Sequence, residues 1–517
     1  MRKVVGLFFW GLLMAQGWES LKDSLLIENE RIETLELDQR PFPQLPQLHR
    51  PTWSLESAVW DSVPSFPLYK PNLILPARPI WTKHAPLHAS YSLGRFWTHT
   101  AMVSWGRTRD LYADEGLSFT HRSTRVGHVR FARWGHTHLS GWVGRYTSTR
   151  GWEIAYRGGL EKFVEYAPYS ERWVGFEETT PLIDSLKRHY WRQELRLLLY
   201  EHEIGAIRFV TRRLDWDTGV PEWQFILTGE GRSFPVAGWN TRPHFGLFIE
   251  GRRFLIGTRW TAEKRIGSWH IFWGLRVAGG RDTSVKFLVA PITKVLYSGL
   301  SSYLRPYAEV TGDLSPLTYF SASEMNPYLR HGLRPLPLSR EWLNAQVGIQ
   351  GQGAGWDYRL AGEYRLIQGA LSYVPQGANF SVEGIPSFQS LGVMTWVSYS
   401  PVIPGPYAEM RAVYRTWRSS REYYSLPPWE LWIRSSYPIQ DKLLLNFGLY
   451  GIGTRLLAPQ VQAAPYVDIS WGVQVRVMSF MSIFAEMNNL LNRRFYRWYG
   501  YVERPMDFWF GIWTKVG

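Results

Sequence analysis

Residues Val467 to Val477 read VDISWGVQVRV, with Val467, Ile469, Trp471, Val473, Val475 and Val477 on one parity and Asp468, Ser470, Gly472, Gln474 and Arg476 on the other. Successive side chains of a β-strand point to opposite faces, so this stretch is extended, with one face suited to hydrocarbon and the other to water. Wound as a helix, the same residues would present no coherent face.

The pattern recurs outward from there. Leu443, Leu445, Phe447 and Leu449 alternate with Lys442, Asn446 and Gly448; Trp269, Ile271, Trp273, Leu275 and Val277 alternate with His270, Gly274 and Arg276. Trp191, Gln193, Leu195, Leu197 and Leu199 stand against Arg192, Glu194 and Arg196, and Trp223, Phe225 and Leu227 against Gln224 and Thr228. A soluble sandwich also alternates, so the number and length of the runs carry the distinction. A tilted strand needs about 9 to 11 residues to cross a bilayer, and these runs have that reach.

The connections point the same way. Read back from the C-terminus, NRRFYRWYGYVERP is long, the turn at Ser479 and Phe480 tight, GTRLLAPQVQAAP long, PIQD tight, RSSREYYSLPP long, SPVIPGP short and SYVPQGANFSVEGIPSF long. The tract Ser315 to Ser339 is longer still, with the short YSGLSS upstream. Outer-membrane barrels alternate short periplasmic turns with longer extracellular loops, and both ends of a single-chain bacterial barrel lie on the periplasmic side. The expected fold is an all-β transmembrane antiparallel barrel over residues 86–517, with an even number of strands, about 22 and no fewer than roughly 16.

Composition agrees. The chain has 28 Trp and 28 Tyr among 517 residues and 16% aromatics, yet a mean hydropathy of only -0.24. A wall that alternates lipid-facing and water-facing residues between aromatic girdles has that combination. Cysteine is absent, which excludes disulfides, thiolate metal sites and a cysteine nucleophile. The net charge of +14 comes from Lys and Arg scattered singly through the strands and not gathered in a patch, so nucleic acid is not an expected partner.

The N-terminus MRKVVGLFFWGLLMAQG has the basic, apolar and small-residue regions of a secretory signal peptide over residues 1–17. No run of about 18 apolar residues follows it, so a membrane-embedded mature chain must be a closed barrel. Residues 18–85 include the tracts RPFPQLPQLHRPTW and FPLYKPNLILPARPIW, whose prolines exclude a persistent helix or central strand. They are expected to be extended along the periplasmic face, threaded into the lumen, or a disordered leader.

The segment MSIFAEMNNLLNRRFYRWYGYVERPMDFWFGIWTKVG resembles the last two strands of TonB-dependent receptors. Phe484, Glu486, Asn489, Leu490, Asn492, Arg493, Tyr496, Gly500 and Tyr501 occupy the family's motif positions. YLRPYAEVTGDLSPLTYFSASEMNPYL and LGRFWTHTAMVSWGRT are similar to stretches of plugless, receptor-like barrels of the Bacteroidota. The resemblance implies a barrel in the outer membrane that takes part in solute passage or serves as the membrane subunit of a surface complex. It departs from energised receptors in having fewer than seventy residues before the barrel and no room for a plug, so TonB is not an expected partner. Outer-membrane lipids are, together with a surface lipoprotein or other outer-membrane subunits. The chain also ends in Val516-Gly517, not in a terminal aromatic.

Other groups bear on chemistry. Arg192, Arg196, Arg276, Arg411, Arg415, Arg434 and Arg476 are candidate lumen-facing residues, because a cation facing mid-membrane lipid costs about 2 to 4 kcal/mol. They give an anion-favouring lumen unless Glu194, Glu409, Glu430 and Asp468 neutralise them. His121, His128, His136 and His138 lie close together, but with no acidic or cysteine partner at fixed spacing they read as polar lumen or rim positions. Glu161, Glu165, Glu171, Glu177 and Glu178 read as a solvated loop between about residues 159 and 187. GIQGQGAGW, with no helix after it, reads as a periplasmic turn and not a phosphate loop. No Ser/His/Asp set has a spacing above chance. Neither an enzyme nor a cofactor or metal is expected; a scaffold barrel with a filled lumen is the alternative to passage, with an outer-membrane hydrolase behind both.

Overall fold

The computed structural model describes residues 87–516 except 95–97, 111–112, 126–132, 147–149, 165–186, 202–203, 217–220, 283, 302, 327, 331–335, 377–378, 401–405, 425, 441, 494–495, 500 and 503–505. The expected signal peptide, the proline-rich segment, His128, Gly500 and the four glutamates from Glu165 to Glu178 lie outside the described residues. Contacts divide the chain into residues 1–57 and 58–517, and every described residue belongs to the second unit.

That unit is a closed antiparallel β-barrel of 22 strands. Its first strand, Leu87–Gly94, pairs with the second, Thr98–Asp110, and also with the last, Asp507–Val516, so the sheet has no free edge. Closure matters energetically, because an open edge in hydrocarbon would leave a row of unpaired backbone groups, each costing several kcal/mol. Among the described residues the strands of the wall pair antiparallel, and apart from the closing pair each pairs with the wall strands before and after it in the chain, as in Trp269–Arg281 against Arg253–Ile266 on one side and Val285–Tyr297 on the other. The short piece Phe234–Val236 continues Glu222–Gly231 along the same partner, Trp239–Glu250. Among the described residues no helix is long and apolar enough to cross a membrane.

The decisive stretch lies within the strand Tyr466–Met478. Trp471, Val475 and Val477 are exposed, Trp471 by 44%, whereas Ser470 and Gln474 of the other parity are buried, Gln474 to 2%. Trp471 is registered against Phe447 on one neighbour and Met487 on the other, so apolar side chains form continuous rows across the outer surface. The same sidedness holds for Trp191, Leu195 and Leu199, for Trp223 and Phe225, and for Trp273 and Leu275, all exposed.

Leu87 and Val516 are register partners, so the first strand begins and the last ends at one rim. The strands joined at that rim are separated by two to seven residues in the chain. Ala354 and Gly355, both at positive φ, join Leu338–Gly353 to Trp356–Gln368, a two-residue reversal matched to strand twist. Only these two residues turn: Gly351 and Gly353, which the sequence placed in the turn, belong to the strand, because period-two pairing continues to Gly353↔Trp356. The opposite rim carries the large insertions, including a helix (Tyr319–Met325) and the hairpin Ala370–Gln376/Asn379–Ile385. The alternation of loop lengths is incomplete, since Glu250 and Arg253 flank a two-residue turn at this same rim.

Candidate functional site

The insertions at the large-loop rim fold together into a cap. Thr318 begins the helix by accepting the Ser321 amide on its hydroxyl. Leu317, Tyr319, Phe320, Ala322, Leu329 and Leu336 of this loop share one buried cluster with Leu371, Tyr373, Phe380 and Val382 of the hairpin and with Trp498 and Tyr501 of the last loop. The wall contributes Phe163, Tyr190 and Leu214. Tyr328 stacks on Tyr501 with centroids 3.5 Å apart, and Trp498 meets Tyr373 and Phe380 at 5.0 and 5.5 Å. The Arg330 amide donates to the Phe380 carbonyl at 2.8 Å and the Phe380 amide to that of Tyr328 at 3.1 Å, so hairpin and helical loop are also joined through backbone.

Polar side chains of the wall hold this apolar body at its edges. Arg253, 2% exposed, donates to the carbonyls of Leu317, at 3.0 Å, and Leu336, and pairs with Glu250 at 2.5 Å. One guanidinium thereby ties both ends of the helical loop. Glu222 accepts the Phe320 amide at 3.3 Å, and the Tyr190 hydroxyl reaches the Ser323 carbonyl at 3.4 Å. Tyr373 donates to the Ala322 carbonyl at 3.2 Å; burial holds its hydroxyl well above the usual phenol range, so it remains a donor. At the loop's exit the Leu338 amide donates to Asp282 at 2.8 Å. Burial pushes the Asp282 carboxyl up, but the amides of Leu338 and Ser284 and the Lys286 ammonium outweigh it and bring it down to about 2.

The face that meets the cap also carries the arginines. Arg192 lies two residues from Tyr190 and pairs with Glu161; both are buried. Glu194 accepts Arg196 at 2.6 Å and Arg212 at 2.7 Å. Glu409 accepts Arg411 at 3.0 Å and Arg434 at 2.9 Å, and these two side chains remain 57% and 54% exposed. Arg276 pairs with Asp313 at 2.7 Å, Arg415 with Glu430 at 3.6 Å, and Arg476 reaches the Ser479 carbonyl at 3.4 Å. Neutralisation is therefore uneven: Glu194 and Glu409 each hold two guanidiniums.

The C-terminal motif is a chain-reversal device. Phe484 and Glu486 are buried on Met481–Asn488, after which Asn489 and Asn492 take positive φ of 50° and 48°, a conformation asparagine tolerates better than most residues. The Asn489 amide group donates to the Arg493 carbonyl at 2.8 Å and its oxygen accepts the Arg493 amide at 3.1 Å. Asn492 accepts the Met506 amide at 3.0 Å, Leu490 donates to the Ile469 carbonyl at 3.1 Å, and Arg455 holds the Tyr496 carbonyl. The motif thereby delivers Trp498 and Tyr501 to the cap.

Two expectations change. Glu161 is not in a solvated loop; it lies in the strand Arg150–Val164, opposite His136, because pairing with Arg133–Tyr146 continues to Phe163. His136 and His138 consequently do have an acidic neighbour, one the linear sequence hides, whereas His121 stands on the opposite parity and bonds the Thr137 hydroxyl at 2.8 Å. Nothing in the sequence singles out Arg253, Glu222 or the helix; Arg253 is the second of two basic residues after Gly251, a pattern that resembles any polar turn.

No family model and no curated protein sequence matches the chain. Among solved structures, the siderophore receptor PirA from Acinetobacter baumannii is similar at 10% identity, covering 84% of this chain and 81% of that one with a TM-score of 0.61. The ferric-catecholate import receptor Fiu from E. coli K12 matches at 10% identity over 84% and 82%, TM-score 0.61, and the copper transporter OprC at 10% over 84% and 81%, TM-score 0.60. At these identities the likeness is one of fold: the chain shares the large antiparallel barrel architecture of those structures.

Proposed function

We propose that this chain resides in the bacterial outer membrane and passes a solute, with the cap gating its outer mouth. The observation that supports this best is the two-faced closed wall, apolar outside and, at Glu409, carrying two water-exposed arginines on one carboxylate inside. The apolar band takes outer-membrane lipid as its partner, the tight turns face the periplasm and the capped rim the exterior. Export by residues 1–17, an extended segment over 18–85 and the barrel from 86 onward complete the reading. The seven arginines line the lumen, where a surplus of guanidinium over carboxylate favours anionic solutes. The receptor-type neighbours support transport over catalysis, and a surface lipoprotein or another outer-membrane subunit is the protein partner of this reading.

A second reading has one observation in its favour: the cap fills part of the mouth with packed aromatics, as a scaffold with an occluded lumen would. Planar-bilayer recording separates the two. Passage predicts steady openings with an anion-preferring reversal potential, larger or more frequent after Arg253→Met loosens the cap. Silence from both proteins would favour the scaffold, and cation preference would remove the anion-selective part.

A further inference from the structure

Among the described residues, the inner wall brings two histidines and a carboxylate together at the spacing of metal ligands. His136 and His138 stand two residues apart on the same face of Arg133–Tyr146, and Glu161 sits directly across from His136 on the neighbouring strand. Their donor atoms all lie within 4.8 Å of one another. The two imidazoles have centroids 3.5 Å apart at 57°, and His136 Nδ1 is 3.4 Å from Glu161 Oε1. Ligands about 2.1 Å from a tetrahedral zinc ion stand about 3.4 Å from one another, the separation that His136 Nδ1 and Glu161 Oε1 already have.

Two further features fit a built site. Gly159 is the register partner of His138, and a Cβ there would lie 2.7 Å from the His138 ring, so only glycine leaves the imidazole this position. The Tyr190 hydroxyl donates to Glu161 Oε2 at 2.5 Å, which turns Oε1 toward the histidines. Hydrogen bonds of this kind orient the carboxylates of metal sites.

We infer that His136, His138 and Glu161 bind one divalent transition-metal ion of the zinc, copper or nickel class. Two imidazoles and one carboxylate suit those ions and not calcium or magnesium, which take oxygen ligands. Three protein ligands leave a coordination position for water or a solute. The ion has a built-in competitor, since the Arg192 guanidinium contacts the same Glu161 Oε1, and Arg122 faces His136 from the other neighbouring strand. Binding therefore displaces Arg192 from Oε1, and affinity is set by that exchange. Because Glu161 shares Tyr190 with the Ser323 carbonyl, the site adjoins the helix of the cap.

The test uses untagged, full-length protein in detergent, stripped with chelator, titrated with Zn²⁺ by calorimetry and with Co²⁺ by visible absorption. One ion per chain is expected, with a Co²⁺ spectrum of nitrogen and oxygen ligation. His136→Asn with His138→Asn should weaken binding by about 100-fold or more. Arg192→Gln should tighten it by about tenfold, by removing the competing charge. His121→Asn, whose native ring bonds Thr137 on the opposite parity, should bind as the parent does. Zn²⁺ should raise the melting temperature of the parent and not of the double variant, a readout that also certifies folding. Undiminished affinity in the double variant, unchanged affinity in Arg192→Gln, or loss of binding in His121→Asn would each overturn the assignment.

Discussion

Replacing Arg253 with methionine removes a side chain that ties both ends of the helical cap loop while keeping most of its buried volume. The arginine donates to the Leu317 carbonyl with two nitrogens, both at 3.0 Å, and to the Leu336 carbonyl, and it neutralises Glu250 at 2.5 Å. Methionine supplies none of these, and Glu250 stays buried beside Gln224, which it accepts at 3.0 Å. Breaking a buried ion pair by deleting one member costs about 3 to 5 kcal/mol, more than any single hydrogen bond. If that cost falls on cap closure, the opened population rises about 100- to 4,000-fold, at about 1.4 kcal/mol per decade. Amide exchange at Ala322 and Asn326, which donate to the Thr318 and Ala322 carbonyls, reads this directly. Adding Glu250→Gln should restore about 1 kcal/mol or more, since the orphaned charge is then gone. Exchange within about threefold of the parent's at these amides would refute the clamp.

Other consequences are as open to measurement. Trp471→Arg, on the exposed apolar face, should destabilise the barrel by about 2 to 4 kcal/mol in urea unfolding from lipid vesicles, whereas Arg434→Lys on the other face should change it by less than about 0.5 kcal/mol. Equal costs would contradict the sidedness. Asn489→Ala should cost about 1 to 2 kcal/mol in thermal unfolding and expose the last loop to protease, because alanine neither tolerates the left-handed backbone nor bonds Arg493; Asn489→Gly should recover the backbone part. Asp282 is held at about 2, below its ordinary value, so the anchorage it gives Leu338 is complete above about pH 4 and is lost as pH falls toward 2. Protection of the Leu338 amide should follow that course in the parent, and an identical acid profile in Asp282→Asn would rule the carboxylate out.

How much of this the sequence carries depends on how local each feature is. Sidedness is written every second residue, so Trp471 against Gln474 is legible without a structure, and the strand number follows because turns interrupt the alternation. Same-strand charge pairs are nearly as legible: Arg196 with Glu194 and Arg411 with Glu409 stand at i and i+2, hence on one face. Pairs across strands, such as Arg192 with Glu161 and Arg276 with Asp313, require the register, which no single strand specifies. Glu161 reads as a loop residue because Gly158 and Gly159 resemble a strand end; in the fold Gly159 clears space for the His138 ring. The cap is illegible for a deeper reason. Its cluster joins segments near residues 163, 320, 380 and 498 that share no periodicity, and only closure of the barrel brings them to one rim.

The central claim is that one parity of each strand meets lipid and the other water around a closed wall. The natural chain has no cysteine, so single cysteines at each position from Val467 to Val477 can be labelled without background. In reconstituted protein, a lipid-phase maleimide should label the Val467, Ile469, Trp471, Val473, Val475 and Val477 positions, and a small aqueous thiosulfonate the alternate ones. Reactivity that is uniform along the stretch, or that repeats every three to four residues, would contradict the account.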